Sequence, residues 1–131
     1  MEPLDISTDM AAKPEVPPVS GPAPRELYST DVVKGDGPTA VSGVQVWVHY
    51  VGVSYSTGDQ FDSSWDRGDA FSFPLGGGRV IPGWDFGVSG MKVGGRRLLV
   101  IPPNMGYGSR AVGSIKPNET LIFVVDLLRV G

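Results

Sequence analysis

The chain has 131 residues, with 19 glycines, 12 prolines, one histidine, no cysteine and a formal net charge of −3. The length is that of one domain, and the glycine content excludes a coiled coil or a helical bundle. Without cysteine there is no disulfide, no thiolate zinc site and no cysteine nucleophile, and a single histidine excludes a histidine cluster for a transition metal. We therefore predict no metal and no cofactor.

The negative charge lies entirely in the first 24 residues, because ten acidic and ten basic residues balance over 25–131. A neutral body offers phosphate backbones little attraction, so we predict no nucleic-acid binding. The longest apolar run, Leu121 to Val125, is far below the ~18 residues that a membrane span needs. The N-terminal residues also lack the basic and apolar regions of a signal peptide. We therefore expect a cytoplasmic protein without a membrane partner.

Residues 1–24 have the composition of a disordered segment. They hold six of the twelve prolines, four acidic residues and one lysine. Such a segment buries little apolar surface, so we predict a disordered, proline-rich acidic tail over 1–24 and a folded domain over 25–131. A partner-binding peptide at Pro14-Glu-Val-Pro17 is a less favoured alternative, because basic residues do not flank it.

Alternation of apolar and polar residues predicts strands through most of the folded part. The predicted strands are residues 44–53, 71–75, 96–101 and 120–130. In the last strand, the alternation places Phe123 on one face and Asp126 on the other. The pair Gly94-Gly95 predicts a hairpin that joins residues 91–93 to the third strand.

Only one segment favours a helix. Pro82 suits a first helical position, Trp84 and Val88 would share a face, and Gly90 suits the end. The pattern therefore predicts an α+β fold, mostly β, in which an antiparallel sheet covers one short helix.

The polar residues offer little covalent chemistry. His49 lies within a strand and no serine elbow motif is present, so a histidine bonded by its neighbours is favoured over a catalytic one. The aspartates at 59–69 lie in a turn-rich segment, which favours solvated carboxylates over an acid–base pair for Asp59 and Asp69. The sequence Gly76-Gly-Gly-Arg79 lacks the Lys-Ser/Thr ending of a phosphate loop.

Aromatic residues are the remaining chemical signal. Seven lie in or beside the predicted strands, loops and helix: Tyr50, Phe61, Phe71, Phe73, Trp84, Tyr107 and Phe123. Composition alone leaves two interpretations open. The rings either all belong to the core or line an open apolar cup with polar groups at its edge, such as tyrosine hydroxyls and Asp62.

Seven short motifs occur in order across residues 25–131. They are Val48-His-Tyr50, Phe61-Asp-Ser-Ser64, Phe71-x-Phe73-x-Leu75-Gly76, Val80-Ile-x-Gly-Trp84, Gly90-Met91-x-x-Gly94, Tyr107-Gly108 and Thr120-Leu-Ile-Phe123. Their order and spacing resemble those of the FKBP family, the macrolide-binding immunophilins, which are peptidyl-prolyl cis-trans isomerases. The chain resembles a small, single-domain bacterial-type member. The resemblance implies a five- or six-stranded antiparallel sheet wrapped around the short helix.

The resemblance also implies a role for each matching position. Trp84 would form the floor of the pocket, and the backbone N–H of Ile81 would donate to a carbonyl of the substrate or ligand. Asp62 and Tyr107 would be its polar groups. The implied catalytic residues are Tyr50, Asp62, Trp84, Tyr107 and Phe123, and the implied substrate- or macrolide-binding residues are Phe61, Phe71, Val80, Ile81, Ala111 and Ile115.

Two features depart from the family pattern. The loop at 108–119 is one residue shorter than in the best-known members, so Ala111 and Ile115 are the nearest equivalents of its apolar positions. Arg79 stands where an acidic residue is familiar. Both departures bear on ligand preference and leave the aromatic set intact.

The resemblance therefore predicts a peptidyl-prolyl cis-trans isomerase that assists protein folding. Its expected partners are proline-containing polypeptides and macrolides such as tacrolimus or rapamycin, and a monomer is favoured. Rotation passes through a twisted amide with less charge separation, which an apolar, dry site favours over the planar amide. The alternatives are a non-catalytic FKBP-like binding or chaperone module and a carrier of small apolar ligands.

Overall fold

The computed structural model describes residues 3–131 of the chain. Within this range, six strands, two short α-helices and one 3-10 turn follow each other in chain order. They are β1 (Tyr28–Val33), β2 (Gln45–Ser54), β3 (Gln60–Ser63), α1 (Ser64–Arg67), β4 (Phe71–Pro74), α2 (Pro82–Gly87), β5 (Arg96–Ile101), the 3-10 turn (Pro103–Met105) and β6 (Leu121–Val130).

The strands form one antiparallel sheet in the order β1-β5-β6-β2-β3. Strand β2 pairs with β6 along one edge, and its other edge pairs first with β4 over residues 45–48 and then with β3 over residues 51–53. The predicted α+β, mostly β architecture with five or six strands is confirmed. Neither helix in the described part of the chain has the length and apolarity to cross a membrane.

Helix α2 packs on one face of the sheet, here called the inner face. A Cβ atom added to Gly83 would lie 2.5 Å from Ile101 in β5, and one added to Gly87 would lie 2.8 Å from Leu99. Glycine is therefore needed on the side of α2 that contacts the sheet. This close approach buries Trp84 between helix and sheet, with 4% of its surface exposed.

Strands β5 and β6 alternate between the inner face and the opposite face, here called the outer face. As predicted, Phe123 lies in the inner cluster, whereas Asp126 lies on the outer face opposite Arg96. The apolar outer-face cluster contains Val51, Val53, Leu98, Val100, Ile122 and Val124. The sheet therefore has two apolar faces, and other parts of the chain must pack on each of them to remove its side chains from water.

The predicted hairpin at Gly94-Gly95 is wrong. Strand β5 pairs with β1 and β6, while residues 91–93 form no strand and make one isolated bridge, between Lys92 and Thr39. Gly94 donates its N–H to the carbonyl of Leu127 instead. Two long-range strand pairings bury both edges of β5, which outweighs the local preference of a two-glycine turn.

Residues 3–24, here called the leader, cross the outer face. They contain no helix or strand, yet Ile6 is 6% exposed and belongs to the outer-face cluster, with Leu4, Val16 and Val19 packed beside it. This packing differs from the disordered tail that the composition predicts. A few apolar side chains are enough to hold the leader in place because the folded sheet supplies an apolar surface for them. The composition of residues 1–24 carries no information about that surface.

Candidate active site

A cavity of about 430 Å³ opens between the inner face of the sheet, α2 and the loop before β6. It is lined by fourteen residues: Tyr50, Phe61, Asp62, Phe71, Arg79, Val80, Ile81, Trp84, Tyr107, Val112, Gly113, Ser114, Ile115 and Phe123. The volume is within the range of small-molecule sites. Ten of the eleven residues predicted for the site from the sequence line this cavity.

Trp84 lies at the centre of the aromatic lining. Its ring centroid is 4.8 Å from that of Tyr50, 5.2 Å from Phe123 and 5.8 Å from Phe71, all in edge-to-face arrangements. Edge-to-face contacts stabilise aromatic clusters because the positive ring edge meets the negative ring face. Trp84 occupies this position because α2 begins at Pro82 and lies against β5.

The wall on the β2–β3 side depends on a glycine. Phe61 and Phe123 meet edge to face at 5.4 Å, above Gly52 of β2. A Cβ atom at Gly52 would lie 2.6 Å from a ring carbon of Phe123 and 2.7 Å from one of Phe61. The absence of a side chain at this strand position allows both rings to enter the cavity.

Polar contacts at the cavity join Tyr50, Asp62 and Arg67. The Tyr50 hydroxyl donates to Oδ2 of Asp62 at 2.5 Å, and Nη2 of Arg67 donates to the Tyr50 hydroxyl oxygen at 2.9 Å. Nη1 of Arg67 pairs with Oδ1 of Asp62, which also accepts the N–H of Ser63 at 2.9 Å. Burial, followed by the bond to Asp62, raises the pKa of Tyr50 to about 12. Tyr50 is therefore a neutral donor at physiological pH.

The backbone N–H of Ile81 donates no hydrogen bond within residues 3–131. Ile81 is the N-cap of α2, and its carbonyl accepts the N–H of Trp84 at 2.9 Å. The segment before it is held by Asp85, whose carboxylate accepts the N–H groups of Gly76 at 2.9 Å and Gly78 at 3.0 Å. A fixed segment thus presents an available donor beside the aromatic rings.

The shortened loop folds into a small hairpin over the cavity. Val112 and Ile115 exchange two backbone hydrogen bonds of 3.0 and 2.8 Å around Gly113-Ser114, and Gly113 has a φ of 55°. Ile115 is buried in the inner cluster, while Ala111 is exposed and is not among the lining residues. The bonded pair places Val112 on the cavity instead of its neighbour Ala111, so the predicted position differs by one residue.

Tyr107 lies at the beginning of this loop, and 37% of its surface is exposed. Partial burial and then the negative charge of Asp62 raise the pKa of its hydroxyl. It remains a neutral hydroxyl that can donate to a ligand carbonyl.

Residues 37–128 match the model of the family described as FKBP-type peptidyl-prolyl cis-trans isomerase. The chain belongs to this family. It is 56% identical to the FK506-binding protein of Streptomyces anulatus over 120 residues, which cover 90% of this chain and 97% of that protein. A probable FK506-binding protein of Corynebacterium glutamicum is 49% identical over 116 residues, which cover 88% of this chain and 97% of that protein.

A solved structure shares the fold. The crystal structure of AtFKBP13 superposes with a TM-score of 0.74 and 39% sequence identity, over 83% of this chain and 96% of that one. The FKBP resemblance stated from the motifs is therefore confirmed, and this FKBP-type protein has the activity class of its family, isomerisation of prolyl peptide bonds.

Arg67 was not predicted as a site residue, yet it contacts both Tyr50 and Asp62. The residue follows β3 through α1, one helical turn whose N-cap Ser63 accepts the N–H of Asp66. The spacing Ser63-x-x-Asp66 resembles a capping box and was the available signal for this helix. A four-residue helix has too few turns to show an apolar period. The hydrophobic pattern therefore could not predict that Arg67 contacts Tyr50 and Asp62.

His49 lies outside the cavity lining. Its Nδ1 atom is 2.8 Å from the Ser64 hydroxyl, and its ring stacks on Trp65 with centroids 4.5 Å apart. These contacts agree with the interpretation of a histidine bonded by its neighbours. No three potential metal-ligating side chains come together among the described residues.

Proposed function

We propose that this FKBP-type protein accelerates rotation about Xaa-Pro bonds inside the cavity above Trp84. The observation that carries the proposal is an apolar aromatic cup beside an unbonded backbone N–H, that of Ile81. The prolyl ring would rest on Trp84 between the aromatic walls. The Ile81 N–H would donate to a carbonyl that flanks the rotating bond, and the Tyr107 hydroxyl would give a second hydrogen bond.

The proposed catalysis needs no nucleophile. A planar amide has a larger charge separation than a twisted one, so removal from water disfavours the planar ground state more than the transition state. The rings of Trp84, Phe71 and Phe123 would supply the dry surface. Asp62 would act through Tyr50 by holding its hydroxyl, and would not transfer a proton.

We propose that the same cavity binds macrolides such as tacrolimus or rapamycin and that the substrates are proline-containing polypeptides. The proposal rests on the match to FK506-binding proteins and on a cavity of suitable volume and lining. An assisting role in protein folding, a cytoplasmic location and a monomeric state stay predictions from the sequence. The non-catalytic binding module and the apolar-ligand carrier are tested by the experiment below.

The decisive experiment is exchange NMR on a short Xaa-Pro peptide, with and without stoichiometric tacrolimus. We expect accelerated cis-trans exchange that tacrolimus abolishes. Tacrolimus binding without catalysis would support the binding module. Catalysis that continues with tacrolimus bound would place the reaction outside the cavity.

A paired substitution locates the reaction within the protein. Phe123→Tyr adds a hydroxyl to the aromatic wall, and we expect it to lower kcat/KM about tenfold because the cup becomes more polar. The control is Phe86→Tyr, on the exposed side of α2, where 69% of the phenylalanine surface is accessible. Equal activity of the two variants, with equal melting temperatures, would contradict the assignment.

A further inference from the structure

Arg79 is the one lining residue of the cavity whose charge has no partner within residues 3–131. The ion pairs of the described chain join Lys13 to Asp66, Arg67 to Asp62, Arg96 to Asp126 and Arg97 to Asp31. The Arg79 side chain is exposed and makes no hydrogen bond to the described residues. Its guanidinium is therefore available to a bound molecule.

The other charged lining residue, Asp62, already has a counter-charge. Arg67 pairs with its carboxylate and also donates to Tyr50. Arg67 is not itself among the lining residues. The cavity therefore presents one uncompensated positive charge, that of Arg79.

The backbone of Arg79 is also held in place. The Asp85 carboxylate accepts the N–H groups of Gly76 and Gly78, and the second of these immediately precedes Arg79. Two residues after Arg79 comes Ile81, the proposed donor to the substrate backbone. Because two residues span at most about 7 Å, the Arg79 side chain can reach the side chains next to the bound proline.

From this geometry we propose that Arg79 makes the protein select Xaa-Pro segments with an acidic side chain immediately before or immediately after the proline. This inference rests on the proposed isomerase function and names its substrate class. An exposed guanidinium attracts a carboxylate modestly, and salt weakens the attraction. We expect kcat/KM to be about three- to fivefold higher for glutamate than for lysine at the deciding position.

The test uses the full chain and two series of short peptides at low ionic strength. One series has Glu, Gln or Lys immediately before the proline, and the other has them immediately after it. Exchange NMR gives kcat/KM for each peptide. The variants are Arg79→Gln, which removes the charge, and Arg79→Glu, which reverses it.

The matched control is Arg25→Glu. Arg25 is exposed and lies outside the cavity lining, and its substitution changes the net charge by the same two units as Arg79→Glu. The quantity compared is the ratio of kcat/KM for the glutamate peptide to that for the lysine peptide. A ratio removes any general loss of stability or activity caused by a substitution.

We expect the ratio of kcat/KM, glutamate peptide to lysine peptide, to be above one in the unaltered protein and in Arg25→Glu. We expect it to be near one in Arg79→Gln and below one in Arg79→Glu. The expected ratio approaches one as salt is added. A ratio that is the same in all four proteins at both positions overturns the proposal, and so does an equal change in the Arg25 and Arg79 charge reversals. Absence of catalysis on the neutral glutamine peptides would instead overturn the proposed isomerase function.

Discussion

Arg96 and Asp126 form a two-bond ion pair across β5 and β6 on the outer face of the sheet. Nε of Arg96 is 2.6 Å from Oδ1 of Asp126 and Nη2 is 2.8 Å from Oδ2, with almost no surface of either residue exposed. Two further N–H groups of Arg96 donate to leader carbonyls, from Nη1 to Ser7 at 2.7 Å and from Nη2 to Ala12 at 3.2 Å. The leader therefore supplies two hydrogen bonds to a buried pair of charges.

Arg96→Met tests this relationship. Because the substitution leaves the Asp126 carboxylate buried without its partner, we expect the free energy of unfolding to fall by about 3–5 kcal/mol. Urea unfolding followed by tryptophan fluorescence measures the change. The control is Arg25→Met, whose side chain is exposed. A loss below about 1 kcal/mol would mean that the Asp126 carboxylate gains water or another partner.

Ile6→Ala tests whether the leader belongs to the folded unit. Ile6 is buried in the outer-face cluster, and we expect a loss of about 2 kcal/mol, at the low end for such truncations because the leader can adjust at the surface. Thr8→Ala, at an exposed leader position, is the matched control. If both variants unfold at the same urea concentration as the unaltered chain, the leader contributes nothing to stability in solution.

Gly52→Ala is expected to damage the cavity more than the fold. The added Cβ would displace the rings of Phe61 and Phe123, and misplacement of a binding surface by less than 1 Å is enough to lower kcat/KM by about tenfold. At Gly77, an added Cβ would make only ordinary contacts with Pro74, so Gly77→Ala is the control. Isomerase kinetics and thermal unfolding would be compared for both. Unchanged kinetics in Gly52→Ala would show that the two rings move without consequence.

The raised pKa of Tyr50 predicts that the free energy of unfolding falls at high pH. Its pKa is about 12 in the folded protein, above the ordinary value of 10.0, because burial and Asp62 disfavour the phenolate. The stabilisation is complete below pH 10 and is lost as the pH rises through 12, which amounts to about 2–3 kcal/mol.

Two measurements check the Tyr50 prediction. Absorbance at 295 nm should show one of the four tyrosines ionising near pH 12, and Tyr50→Phe should remove that step. The decline in unfolding free energy above pH 10 should also be smaller in Tyr50→Phe than in the unaltered protein. A Tyr50 ionisation near pH 10 would contradict the buried hydrogen bond to Asp62.

Much of the site was predictable because family motifs and local patterns identified its residues. Tyr50, Trp84 and Phe123 were named from the sequence and meet in the cavity. The position of Ala111 was not predicted correctly, because the hairpin of the shortened loop determines which residue lies over the cavity, and its turn was not recognised from the sequence.

Features that follow from local geometry were predictable from the amino-acid sequence alone. The period of two in β6 placed Phe123 inward and Asp126 outward, and Pro82 marked the beginning of α2. The strands that flank β5 and the contact of Arg67 with Tyr50 became evident only in the folded chain. The same holds for the leader, which covers the outer face, where Arg96 donates to the carbonyl of Ser7, a residue 89 positions earlier. These contacts join segments that are distant in the chain, so their energies depend on surfaces that exist only after the sheet has formed.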